Sequence, residues 1–95
     1  MIKLITPSEL KVKMNQGEIL TIIDVREAEE VAQGMIPGAI HIPLGQLPDK
    51  LDEIPQISPI ILVCRSGNRS GKAYEFLEAN GFHDMKNMSG GMLEW

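Results

Sequence analysis

Among its 95 residues this sequence holds a single cysteine, Cys64. No internal disulfide can form, and a Cys-x-x-Cys redox pair and a multi-cysteine zinc site are both excluded. A lone thiol fits a reducing compartment best. Histidine is equally scarce: His41 and His83 stand far apart in sequence, so no metal site is expected. Long apolar runs are missing. The longest, Ile60 to Cys64, is far too short to span a bilayer. The first residues show no charged start followed by an apolar stretch, so no signal peptide is visible. Taken as complete, the chain is expected to be soluble and cytoplasmic. An excess of positive charge is also lacking: the net charge is −4. Phosphate neutralisation normally supplies affinity for nucleic acid, so the balance argues against a non-specific nucleic-acid binder. Repeats, low-complexity tracts and linkers are absent as well.

What remains is the material of one globular domain, residues 1–95. Hydrophobic residues make up 43% and charged residues 23%, enough for a modest core inside an ordinary surface. Residues 2–5 can form a short strand. Thr6-Pro7-Ser8-Glu9 reads as a helix start, with Thr6 capping, Pro7 in the first turn and Glu9 closing a capping box. That helix ends near Gly17. Leu20 to Ile23 is an apolar, β-branched stretch that reads as a buried strand ending at Asp24. Arg26 to Ala32 reads as a short helix, broken by Gly34 and Pro37-Gly38. Ala39 to Ile42 suits a further short strand. From Pro43 to Glu53 leucines recur at helical spacing, but Pro48 confines any helix to short pieces. Ile60 to Val63 is continuous and apolar, as a central parallel strand covered on both faces should be. A helix follows from Ser70 to Asn80, with Gly81 as its left-handed terminus and Phe82 packing back on Leu77. Met85 to Met88 is the last expected strand. Strands alternating with helices predict an α/β fold with a mostly parallel sheet.

The chemistry concentrates between Cys64 and Ser70. A cysteine at the carboxyl end of a buried strand, in a loop feeding a helix, lies where open α/β sheets bind ligands. Gly67 and Asn68 tolerate left-handed backbone angles, so the loop can turn successive N–H groups inward as an anion nest. The helix N-terminus adds unpaired N–H groups and partial positive charge, and Arg65 and Arg69 add full charges. Each effect favours an anion at the Cys64 sulfur and should lower the thiol pKa. A cysteine at a strand end is more often just a small buried hydrophobe; here the loop that follows at once favours a functional reading.

Several segments together resemble the single-domain rhodaneses, or sulfurtransferases, along nearly the whole chain. Asp24-Val25-Arg26-Glu27 looks like the first family signature. Gly34 to Leu44 looks like the second, Cys64 to Ser70 like the active loop, and Gly81-Phe82 with Asn87 to Trp95 like the close of the domain. The resemblance implies a three-layer sandwich with a five-stranded, mainly parallel sheet. It implies a double displacement in which Cys64 takes sulfane sulfur from a donor such as thiosulfate or a persulfide and holds it as a persulfide. Backbone N–H groups of Arg65, Ser66, Gly67, Asn68, Arg69 and Ser70 would hold the sulfur, and the two arginines would bind donor charge. No cofactor is implied. With one cysteine in the chain the acceptor must be external: a thiol, cyanide or a partner protein. Met35 stands where the family usually has histidine. The chain also stops at Trp95, where relatives usually run on for several residues, so the tail is expected to be short or missing.

Other polar residues are assigned structural roles. Asp24 should accept N–H groups of the next turn. Arg26 should pair with Glu29 or Glu30, between which the sequence does not choose. His41 should be structural and His83 exposed. Two competing functions use the same loop. Cysteine phosphatases and arsenate reductases place five residues between cysteine and arginine; here four, Arg65 to Asn68, separate Cys64 from Arg69, a tighter cradle suited to one sulfur atom. A binding or regulatory module without turnover is the other alternative, and the intact Cys64 loop argues against it.

Overall fold

The computed structural model describes all 95 residues. Five strands form one sheet: β1 Leu4–Ile5, β2 Thr21–Asp24, β3 Ile40–His41, β4 Ile60–Val63 and β5 Met85–Met88. Their order is β1-β5-β4-β2-β3, and every neighbouring pair is parallel. Three α-helices connect them: α1 Pro7–Asn15, α2 Ala28–Val31 and α3 Asn68–Ala79. Two 3-10 segments, Leu44–Glu53 and Gly91–Glu94, complete the chain.

The local signals read from the sequence act as expected. The Thr6 Oγ1 accepts the Glu9 N–H at 3.1 Å, and the Glu9 Oε1 accepts the Thr6 N–H at 2.8 Å, a reciprocal capping box. At the far end of α3, Gly81 adopts φ +88°. The Phe82 N–H then reaches the Leu77 carbonyl at 3.1 Å and the Gly81 N–H reaches Glu78 at 3.2 Å, the paired bonds of a Schellman ending. Between Pro43 and Glu53 the chain forms 3-10 turns with Pro48 inside and a non-helical break at Lys50. The start of α3 differs from expectation. It begins at Asn68, two residues earlier than the sequence suggested, because Gly67 at φ +101° turns the loop directly into the helix.

Strand β4 sits centrally, between β5 and β2, and is buried throughout. Alternation sends its side chains to two cores. Ile60, Leu62 and Cys64 join Ala73, Tyr74 and Leu77 of α3 on one face. Ile61 and Val63 join Leu10 of α1, Ile36 and Met88 on the other. Both faces are covered, as an all-parallel sheet requires. From β2 the chain leaves through α2 toward β3; from adjacent β4 it leaves through α3 toward β5. The loops after β2 and β4 therefore diverge at neighbouring carboxyl ends, and a crevice opens where such connections part.

Candidate active site

Cys64 is the residue immediately beyond β4, in the turn toward α3. Its neighbours explain its chemistry. The Gly67 N–H donates to the Cys64 Sγ at 3.0 Å. The Ser70 Oγ lies 3.2 Å from the same sulfur. Burial alone would push the thiol up, because it disfavours the charged form. The Ser70 hydroxyl and the backbone N–H groups of Ser70, Gly67 and Ser66 outweigh it and hold the thiol below its ordinary value. Cys64 itself is only 1% exposed.

Of the residues singled out in the loop, Ser66, Gly67 and Ser70 are thus brought to the sulfur. Asn68 and Arg69 form the first turn of α3, whose N-terminus faces the loop. The two arginines part company. Arg69 was expected to bind donor charge, yet its guanidinium is taken by Glu30 in a two-point ion pair, Nη1 to Oε1 at 2.6 Å and Nη2 to Oε2 at 2.7 Å. The bond from Arg69, with a further one from the Glu27 N–H, holds the Glu30 carboxyl down at about 2. Arg69 in turn is raised by Glu30. Arg65 forms no ion pair and stays exposed, so it is the loop's free cation.

A groove of about 620 Å³ adjoins the loop, lined by Arg65, Glu29, Glu30, Met35, Met92 and Trp95 among others. Its far wall is bonded to the loop itself: the Met92 N–H donates to the Cys64 carbonyl at 2.8 Å and the Leu93 N–H to the Arg65 carbonyl at 3.0 Å. Met35 borders this groove and makes no hydrogen bond to the Cys64 sulfur. Trp95 stacks under the Lys11 ammonium, 4.5 Å from its ring centre.

The loop after β2 requires one correction. Arg26 makes no ion pair with Glu29 or Glu30; of the two it meets only the Glu30 backbone carbonyl, at 3.4 Å. It folds back on Asp24, with Nη2 to Oδ2 at 2.8 Å and Nε to Oδ1 at 3.0 Å. Both groups are buried, and a buried carboxylate draws the nearest cation that can neutralise it without leaving the interior. Asp24 also accepts the Arg26 N–H at 3.0 Å, as expected of a residue ending a strand. Arg26 in addition reaches the Gly34 carbonyl at 2.8 Å, and its own carbonyl lies 2.7 Å from His41 Nε2. His41 is thereby structural, and His83 is exposed. No helix is long and apolar enough to cross a membrane.

Sequence reasoning missed the site roles of two residues. Glu30 lies 39 positions before its partner Arg69, a pairing that only the strand order creates. Asn87 of β5 donates from Nδ2 to the Gly67 carbonyl at 3.0 Å, and its Oδ1 accepts the Ser70 hydroxyl. The available signal was weak: an asparagine inside a short strand, a position where that residue is uncommon.

Comparison with known proteins agrees with this geometry. The family model described as rhodanese-like domain matches residues 6–95. YtwF of Bacillus subtilis is 44% identical over 94 residues, 99% of this chain and 90% of the relative. A sulfurtransferase of Allochromatium vinosum is 34% identical over 95 residues, 100% of this chain and 89% of the relative. Among solved structures, a rhodanese-like domain protein from Staphylococcus aureus superposes with a TM-score of 0.92 at 44% identity, covering 99% of this chain and 91% of that one.

Proposed function

The chain belongs to the rhodanese-like domain family, and from that premise we propose that it is a sulfurtransferase working through a Cys64 persulfide. The observation that carries the reading is the sulfur's surroundings. The one thiol of the chain sits at the carboxyl end of the central strand, receives the Gly67 N–H, has the Ser70 hydroxyl 3.2 Å away, and is held below its ordinary pKa. Those features favour an anion at Sγ, which is the attacking thiolate.

The chemistry runs in two displacements. The Cys64 thiolate attacks the sulfane sulfur of a donor such as thiosulfate or a persulfide. The donor's S–S bond breaks, and with thiosulfate sulfite departs with the electron pair. The terminal sulfur of the Cys64 persulfide is then attacked by an external nucleophile, a thiol, cyanide or a partner protein, and Cys64 leaves as thiolate. Donors at Sγ stabilise the thiolate before the first displacement and after the second, when it leaves, and a charged acceptor strengthens each bond. With Cys64 only 1% exposed, a donor must present its sulfur end-on. Arg65, free of any ion pair, meets the donor's charge. Arg69 orders the loop through Glu30, while Ser66, Gly67, Asn68 and Ser70 shape the cradle. Residues 1–95 act as one domain, and a lone thiol suits the reducing cytoplasm. A phosphatase reading is disfavoured because Arg69, the arginine that would hold phosphate oxygens, is occupied by Glu30.

The test is intact mass spectrometry after incubation with thiosulfate. A gain of one sulfur atom, removed by adding a thiol, is expected. An unchanged mass with thiosulfate and with an organic persulfide would overturn the proposal.

A further inference from the structure

The Ser70 hydroxyl faces two acceptors. The Cys64 Sγ lies 3.2 Å away, and the Asn87 Oδ1 lies on the other side in a short contact. A hydroxyl has one proton to donate, so the two cannot both be served. The amide of Asn87 cannot turn to relieve the competition. Its Nδ2 is bonded to the Gly67 carbonyl, which keeps Oδ1 aimed at Ser70. Both residues are buried, Ser70 at 0% and Asn87 at 5% exposure, and Ser70 is the one donor that Asn87 Oδ1 has.

We propose that Asn87 is a positioning residue for the sulfur site, setting through Ser70 whether the Cys64 sulfur is held as a neutral thiol or as an anion. In the neutral form the Cys64 S–H donates to the Ser70 Oγ, and the Ser70 O–H donates to the Asn87 Oδ1. When the thiol loses its proton to a solvent base, only the S–H bond breaks. The Ser70 O–H then rotates onto the sulfur, and Asn87 Oδ1 is left without a donor in a buried position. Unpartnered buried acceptors are costly, so Asn87 restrains the anion that Ser70 supports. The same balance applies at the end of the cycle: once an external nucleophile has taken the outer sulfur and the departing Cys64 thiolate has gained a proton from solvent, the Ser70 O–H turns back to the Asn87 Oδ1. The proposal rests on Cys64 being the sulfur-bearing residue.

The charged groups on surrounding elements are Arg65 in the loop, Arg69 on α3 and its partner Glu30 on α2. Beyond them lie the Asp24–Arg26 pair after β2, Lys86 on β5 and Glu94 past β5. Cys64 is the only titratable member of the Cys64–Ser70–Asn87 chain in the wild type and in the Ser70→Ala and Asn87→Leu variants, and the surrounding charged groups are the same in every variant below.

The experiment measures the rate of Cys64 alkylation by iodoacetamide against pH, in a double-mutant cycle. Ser70→Ala should raise the apparent pKa by about one unit, the scale expected for one hydrogen bond to a charged acceptor. Asn87→Leu should lower it, because Ser70 is freed to serve the sulfur alone. In the Ser70→Ala background Asn87→Leu should have no such lowering effect. If Asn87 only braces the loop through the Gly67 carbonyl, its replacement shifts the pKa equally in both backgrounds, and that result would overturn the proposal. Should Asn87→Leu fail to fold, Asn87→Asp gives the same cycle with the opposite sign. The carboxylate holds the Ser70 proton more firmly, so the upward shift should be larger with Ser70 present than in the Ser70→Ala background; equal shifts overturn the idea again. Alkylation needs no sulfur donor, so failure of sulfur transfer and failure of this cycle are told apart.

Discussion

At the scale of single residues, the site is a balance of one thiol against a few donors. Replacing Cys64 by serine keeps the shape of the side chain but supplies a hydroxyl that is not ionised at neutral pH. Cys64→Ser should therefore keep its thermal unfolding profile and lose sulfur transfer from thiosulfate; a folded variant that transfers at the wild-type rate would refute the assignment of the nucleophile. Glu30 gives a second prediction at this scale. Its carboxyl is held at about 2 against an ordinary 4.5. Its stabilising effect is fully present above pH 4.5 and fades as pH falls through about 2, where the carboxyl takes up a proton in the folded state as well. Glu30→Gln should be less stable than wild type in urea at neutral pH, and the difference should shrink in acid. The same change releases the Arg69 guanidinium from its carboxylate partner. Use of dianionic thiosulfate should rise, with the increase greatest at low ionic strength. A stability gap that widens in acid would show that the ion pair is not its source.

At the scale of elements, the loop from Cys64 to Gly67 is fixed from both ends. Gly67 turns it at φ +101° into α3, and the glycine pair after β5 packs beneath it. A Cβ on Gly91 would collide with the Arg65 carbonyl and the Ser66 nitrogen, and Gly91 also holds φ +61°. Gly91→Ala should therefore displace the loop as well as strain its own backbone, at a cost of about 1–3 kcal/mol for the backbone conformation alone. Thermal unfolding should shift down and sulfur transfer should fall further than unfolding explains; a variant with wild-type activity would show that the loop does not depend on this contact. Loop length is the other lever. A glycine inserted between Gly67 and Asn68 moves the Gly67 N–H and the start of α3 apart, and with them the two donors at 3.0 and 3.2 Å from the sulfur. Sulfur transfer should drop sharply, assayed with thiosulfate beside an aryl phosphate. Unchanged transfer would mean that the spacing of cysteine and helix does not matter.

On the scale of the whole molecule, what could be read in advance is what neighbouring residues settle without reference to burial or strand order. Ile60 to Cys64 announced a central strand because a strand buried on both faces carries such a continuous apolar run, and this one is short and β-branched. Thr6 with Glu9, and Gly81 with Phe82, announced their helix ends because capping is settled within a few residues. The partners of Arg26, Arg69 and Ser70 were not legible. Each is chosen by burial or by strand order: Arg26 turns inward to Asp24, Arg69 meets Glu30 because β2 and β4 are neighbours, and Ser70 meets Asn87 because β5 lies on the other side of β4. The central strand thus sets both the stability and the site, and its two faces can be separated. Leu62 and Ile61 are both fully buried, but Leu62 shares a core with Cys64 and α3 while Ile61 packs toward α1. Truncating either to alanine should cost about 2–5 kcal/mol, a large part of the roughly 5–15 kcal/mol that holds a domain folded. Their effects on chemistry should differ. Leu62→Ala loosens the packing under α3, whose first turn carries Ser70, and should slow alkylation and sulfur transfer per folded molecule. Ile61→Ala should leave both near wild type under conditions where the protein remains folded. Equal losses of activity per folded molecule, with folding followed by urea titration of the same samples, would mean that the sheet positions Cys64 as a whole and not through the face that α3 covers.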